Sequence, residues 1–191
     1  MTDWKAYQQR TADGRPRETL ERALKLFEKP GLAIDLGCGA GRDTRALLQS
    51  GFHVTALDGE TSALVKLRQQ LPEEARERLT IVRDTFETMN LAKADLINAS
   101  YCLPFVDPAR AEVVWKNIEN ALPRGGVFSG QFFGVNDDWA TSGLWILARA
   151  KLEEMLSTWE VVWCREEDTQ GMTAMGAEKH WHVYHVVCRR P

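Results

Sequence analysis

Apolar residues in this chain alternate between two rhythms. Short, nearly continuous apolar runs at 32–36, 52–57, 79–82, 94–100 and 127–133 are the pattern of strands buried on both faces of a parallel sheet. Between them the apolar positions open out to helical spacing. Leu20, Ala23, Leu24 and Phe27 recur at i, i+3, i+4 and i+7, and Lys29-Pro30-Gly31 stops that helix. A helix over 42–50 ends at Gly51, a C-cap residue. Leu64, Leu67 and Leu71 share one face of a helix over 61–71. Ala111, Val114, Ile118 and Leu122 do so on a helix that Asp107-Pro108 starts. Alternation of this kind implies an α/β, three-layer fold: a mostly parallel sheet with helices on both faces.

The last third of the chain breaks the rhythm. A helix is expected over 151–156, a sixth strand over 159–164 and a seventh over 179–187. No crossover helix separates the last two strands, so they must pair antiparallel. On the seventh strand His180, His182 and Tyr184 share one face, and Trp181, Val183 and His185 the other. The polar, glycine-containing stretch 166–178 reads as a mobile hairpin loop. The stretch 134–148 is too long and irregular for a routine connection, and at the sheet's carboxyl edge it reads as a lid or substrate wall.

Composition narrows the function classes. At 191 residues, residues 1–191 form one domain. A hydrophobic fraction of 44%, a charged fraction of 27% and a net charge of −3 are ordinary for a globular protein. Basic residues are scattered, so neither a nucleic acid nor an anionic membrane is an expected partner. Cys38, Cys102, Cys164 and Cys188 form no CxxC pair, which argues against zinc and against a disulfide framework. The polar start lacks a signal core and no run reaches membrane-spanning length, so a reducing cytoplasm is the expected location. Nothing in the sequence specifies an oligomeric state. Residues 1–16 hold Trp4, Tyr7, Arg10 and Arg15, which suit either a disordered terminus or an arm folded over a ligand.

Chemistry concentrates where the first strand ends. Asp35-Leu36-Gly37-Cys38-Gly39-Ala40-Gly41 puts three Cβ-free positions in a strand-to-helix turn, where the backbone can approach a ligand. The dinucleotide fingerprint G-x-G-x-x-G/A fails in either register: the sixth place is Arg42 or Thr44. Asp35 would repel a pyrophosphate but suits an ammonium group. Asp58 closes the second strand 21 positions past Gly37, where a carboxylate accepts hydrogen bonds from both ribose hydroxyls or else caps the next helix.

The motif from Asp35 to Gly41 resembles motif I of the class I S-adenosylmethionine-dependent methyltransferases. Asp58 and the Leu122-Pro123-x-Gly125-Gly126 turn before the fifth strand fit the same family. The resemblance implies a Rossmann-like, seven-stranded sheet with an antiparallel last strand, S-adenosyl-L-methionine as cofactor and a small-molecule methyl acceptor. The Gly37–Asp43 motif and the closing run Lys179-His180-Trp181-His182-Val183-Tyr184-His185 look most like small bacterial methyltransferases of the tellurite-resistance type. It implies cofactor contacts from Asp35, Gly37, Cys38, Gly39 and Gly41 around the methionine part and from Asp58 on the ribose. Asp84 and Phe86 would lie by the adenine, and Arg15 on the methionine carboxylate. In place of the Asn/Asp-Pro-Pro-Tyr/Phe of base and amide methyltransferases, this chain has Asn98-Ala99-Ser100-Tyr101, which argues against DNA bases. Candidate catalytic groups are Tyr101, Asp137 (or its neighbour Asp138) and His182, each with a purely structural alternative. A thiol or other soft, ionised nucleophile would need no general base. The rival functions are a non-catalytic S-adenosylmethionine-binding module and an NAD(P)-dependent oxidoreductase.

Overall fold

Four strands run side by side in parallel in the computed structural model, which describes residues 10–12 and 14–191. They are β1 (Leu32–Leu36), β2 (His53–Asp58), β3 (Leu79–Arg83) and β4 (Leu96–Ala99). The fifth, β5 (Val127–Gly134), is buried along its whole length and pairs in parallel with β4. Seven strands of the sheet follow the order β3-β2-β1-β4-β5-β8-β7, and an eighth, the two-residue β6 (Ile146–Leu147), pairs in parallel with the end of β5. β8 (Glu178–Arg189) is antiparallel to β5 and to β7 (Glu160–Met172). The expected architecture is therefore present, with β6 an addition that its two residues were too short to announce.

Helices cover both faces. On one side α1 (Glu18–Leu24), α2 (Arg42–Gln49) and α3 (Ser62–Gln70) bury Leu20, Leu47, Leu48, Leu64 and Leu67 against Val54, Ala56 and Leu96. The short α4 (Glu73–Glu77) leads into β3. On the other side α5 (Ala111–Ala121) and α6 (Arg149–Met155) bury Val114, Trp115, Ile118 and Leu152 against Ile34, Ile97, Phe128 and Phe132. Each face thus uses the helical stripe that its apolar spacing predicts.

Two expectations about the last third need correction. The polar stretch 166–178 is mostly strand: β7 runs on to Met172 and β8 starts at Glu178, leaving 173–177 as the turn. β7 is an edge strand, exposed at most positions, so its polarity reflects solvent on its side chains while β8 satisfies its backbone. Trp145, expected in a lid, is instead core, packed edge-on to Phe132 at 5.5 Å between ring centroids.

The order of the strands positions the site. β1 has β2 on one side and β4 on the other, so chain direction switches across the carboxyl end of β1. A crevice opens at such a point, because successive crossovers leave it in opposite directions.

Candidate active site

The turn after β1 closes tightly. Gly37, Gly39 and Gly41 all have left-handed backbones, with φ of 57°, 56° and 80°. A Cβ on Gly37 would sit 2.4 Å from the Cys102 Cβ, and one on Gly41 would sit 2.5 Å from the Leu67 side chain. Neither position tolerates a side chain, which ties the glycines to packing as well as conformation. The Gly41 N–H donates to the Cys38 carbonyl at 2.9 Å. The Gly39 N–H donates to Asp58 Oδ2 at 2.8 Å, and the Glu60 N–H to Asp58 Oδ1 at 2.9 Å. Asp58 does not cap the next helix, whose N-cap is Thr61. Its carboxylate braces the glycine turn, and each oxygen keeps a lone pair for a further donor.

This turn forms one wall of a cleft of about 1190 Å³. Gly37, Gly39, Asp58, Asp84 and Phe86 line the half beside β1, β2 and β3. The Thr88 hydroxyl and the Thr85 N–H donate to Asp84 and hold its carboxyl below the usual range. Across the switch point, beyond β4, β5 and β8, stand Tyr101, Phe105, Phe133, Trp139 and Trp181. Phe133 touches the other four rings at centroid distances of 5.9–6.3 Å. The hairpin turn after β7 borders the cleft, as do Arg10, Thr11 and Gly14; Arg10 Nη1 donates to the Ala174 carbonyl at 3.4 Å. Trp4 and Tyr7 of the expected arm lie outside the described residues.

Behind the glycines lies a buried polar network. Asp35 is 1% exposed and accepts from the Thr44 hydroxyl at 2.6 Å and from Asn98 Nδ2 at 2.8 Å. The same Asn98 amide donates to Asp43 at 3.2 Å, and Ser129 donates to its carbonyl at 2.8 Å. Burial, reinforced by the Asp43 charge, pushes the Asp35 carboxyl up to about 7. Asp35 borders a small recess of about 50 Å³ that shares Gly37, Gly39, Arg17, Arg42 and Ser100 with the main cleft. Cys38 lines that recess too, and burial raises its thiol. Gly41 borders neither space; its role is to start α2.

The structure reassigns several candidates. Arg15 is exposed and lines neither space, while Arg17 lines both. The Arg17 guanidinium lies 4.4 Å from the centre of the Tyr101 ring and has no ion-pair partner among the described residues. Its Nε is buried without a hydrogen bond. Asp137 is buried in an ion pair with Lys179 and also accepts the Trp139 and His182 N–H groups, so it does not face the cleft as a base. His182 is also buried away from it: Nδ1 accepts the Asn136 N–H at 3.0 Å and Nε2 faces Glu166 at 2.9 Å. Of the catalytic candidates Tyr101 and Asp138 line the cleft, and Tyr101 is the one non-glycine residue with positive φ, 55°, among those described. Sequence pattern alone marks neither Arg17 nor the meeting of Tyr101, Phe105, Phe133, Trp139, Lys179 and Trp181 at one wall. Arg42, which also lines the cleft, sits in the motif itself.

Comparison with known proteins fits this geometry. Residues 33–126 match a family model described as a methyltransferase domain. An uncharacterized methyltransferase of Synechocystis sp. is 30% identical over 107 residues, 54% of this chain and 48% of that protein. The chain spans from 43% to 49% of the first curated relatives it matches. TehB from Haemophilus influenzae superimposes with a TM-score of 0.73 at 18% identity, covering 92% of this chain and 62% of TehB. A 1,6-didemethyltoxoflavin-N1-methyltransferase of Burkholderia thailandensis, solved with that compound and S-adenosylhomocysteine, superimposes at 0.70 and 21% identity. That match covers 91% of this chain and 77% of the Burkholderia protein.

Proposed function

We propose that the chain, whose residues 33–126 match a methyltransferase domain, is a class I S-adenosylmethionine-dependent methyltransferase that methylates a small-molecule acceptor inside the cleft. The observation that carries this reading is the glycine turn braced by Asp58 at the edge of one large two-ended space. A drug-sized ligand fills about 300–1,000 Å³, so a cleft of about 1190 Å³ has room for cofactor and acceptor together.

The residues present fit S-adenosylmethionine, which supplies a methyl group on a sulfonium. Gly37 and Gly39 let the backbone come close, and Asp58 has lone pairs left for the ribose hydroxyls. Asp84 and Phe86 line the wall suited to the adenine. Asp35 presents a carboxyl behind the glycines for the ammonium group. Arg17 takes the role first expected of Arg15, since its guanidinium is unpaired and shares the recess with Asp35. The segment carrying Arg10 and Thr11 covers the cofactor end together with the hairpin turn. The protein's remaining task is to hold the reacting atoms in line and exclude water.

Calorimetric titration tests the reading. S-adenosylmethionine and S-adenosylhomocysteine bind and NAD(P)H does not; tight NAD(P)H binding without them would overturn it. Asp58→Ala weakens S-adenosylhomocysteine at least about tenfold, as loss of hydrogen bonds to a charged, half-buried acceptor, worth about 1.5–3 kcal/mol, requires. Arg17→Met weakens it by at least about fivefold, the effect expected when a charge-assisted pair is lost. Decarboxylated S-adenosylmethionine, which lacks the pairing group, binds wild type and Arg17→Met alike. Equal losses for both ligands would remove Arg17 from the carboxylate. Turnover of any acceptor excludes the non-catalytic alternative.

A further inference from the structure

The acceptor end of the cleft has a composition that selects among nucleophiles. Its wall is the five-ring cluster around Phe133, and the faces of such rings carry negative potential. The cation beside them, Lys179, is already engaged: its ammonium pairs with Asp137, donates to the His180 carbonyl at 3.3 Å and lies 3.7 Å from the centre of the Trp181 ring. Those three partners account for its three donors. The other cation near these rings, Arg17, lies 4.4 Å from the centre of the Tyr101 ring and is the residue given above to the methionine carboxylate, so with cofactor bound a thiolate or phenolate would find no unpaired cation among the described residues of this wall. The acceptor Asp138 stands differently. It lines the cleft, its Oδ2 is pinned by the His180 N–H at 2.7 Å, and its N–H returns to the His180 carbonyl at 3.2 Å. Among the described residues its Oδ1 accepts nothing. Glu178, also lining the cleft, is exposed and has no ion-pair partner among them.

We propose that the methyl acceptor is an amine, held with an N–H on Asp138 Oδ1 and its carbon skeleton against the rings of Tyr101, Phe133, Trp139 and Trp181. This inference rests on the methyl-transfer reading above and names its acceptor class. The nitrogen lone pair forms the new N–C bond as the C–S bond breaks and its electron pair stays on sulfur. Positive charge moves from sulfur to nitrogen, and the proton of the resulting ammonium leaves to Asp138 and then to solvent. Ring faces and a carboxylate stabilise charge developing on nitrogen, which is where the transition state places it. Asp138 is thus a catalytic residue, while Lys179 and Asp137 are positioning residues that hold Trp139 and Trp181.

An isosteric panel tests the proposal with the full chain saturated with S-adenosylhomocysteine. The probes are 2-phenylethylamine, 2-phenylethanol and 2-phenylethanethiol, and binding is read from tryptophan fluorescence. The amine is expected to bind at least about tenfold more tightly than the alcohol or the thiol. With S-adenosylmethionine instead, mass spectrometry should find the methyl group on nitrogen. Asp138→Asn removes most of the amine preference and lowers kcat/KM for the amine by at least about tenfold, with S-adenosylhomocysteine affinity unchanged. Equal binding of the three probes, preference for the alcohol or thiol, or an amine preference that survives Asp138→Asn each overturns the proposal. Failure to bind S-adenosylhomocysteine at all overturns the methyl-transfer reading instead.

Discussion

Asp137→Ala lowers the melting temperature by roughly 10 °C, the largest loss expected from any single exchange near the cleft. Lys179 is 2% exposed, and its ammonium sits among Phe133, Trp139 and Trp181 with Asp137 as its counter-charge. Removing the carboxylate strands a buried cation and leaves the Trp139 and His182 N–H groups without their acceptor. Breaking a buried pair from one side costs about 3–5 kcal/mol, because the surviving charge keeps its desolvation penalty and loses its partner. The double variant Asp137→Ala/Lys179→Met, with no ammonium left to strand, regains at least half of the loss. Thermal denaturation followed by circular dichroism measures both. A shift of under 2 °C for the single variant would show that the pair contributes nothing net.

Asp35→Asn acts in the opposite direction. Its carboxyl, pushed up to about 7 by burial and by Asp43, binds a proton more tightly in the folded chain than in the unfolded one. Between about pH 4 and pH 7 the unfolded chain has released that proton and the folded chain still holds it. Stability therefore falls as pH rises through this window and levels off above it. Asparagine is neutral at every pH. Its oxygen can accept from Asn98 and its amide can donate to the Thr44 hydroxyl, keeping the contacts that Asp35 makes. The variant is thus more stable than wild type above pH 7, by on the order of 2–4 kcal/mol, and the advantage fades toward pH 4. A melting-temperature gain of roughly 5–10 °C at pH 8 is expected. The same exchange weakens S-adenosylhomocysteine at least about tenfold, since the ligand's ammonium loses a charged partner. Stability rising while affinity falls is the signature of a carboxylate retained for its ligand. A less stable variant at pH 8 would mean that the network itself requires the charge.

Legibility in the sequence follows how local each determinant is. The glycine turn was readable because backbone conformation, spacing and Asp58 lie within one βαβ unit. Arg17 was missed in favour of Arg15, two residues away, because which of several arginines reaches the recess depends on how α1 packs against β5 and β8. Asp137 and Asp138 are adjacent, and nothing in their local sequence says which is buried against Lys179 and which lines the cleft. β8 separates them: its Lys179 side chain takes Asp137, while the His180 N–H takes Asp138. The first part of β7 is legible as the sixth strand, but its far part, 166–172, reads as loop because an edge strand exposed at most positions has the composition of a loop.

Apolar rhythm and the three glycines determined the layered fold, the direction of its strands and the place of the glycine turn, because periodicity and a left-handed backbone are properties of neighbouring residues. Only tertiary structure decided which charges are paired off and which remain to meet a ligand. Burial and partnership are set by strands far apart in the chain: Asn98 on β4 joins Asp35 on β1 to Asp43 on α2, and Lys179 on β8 neutralises Asp137 beyond β5. The chemistry of the acceptor end follows from that second kind of information, since an ionised group acts on a ligand only when no other residue has already claimed it.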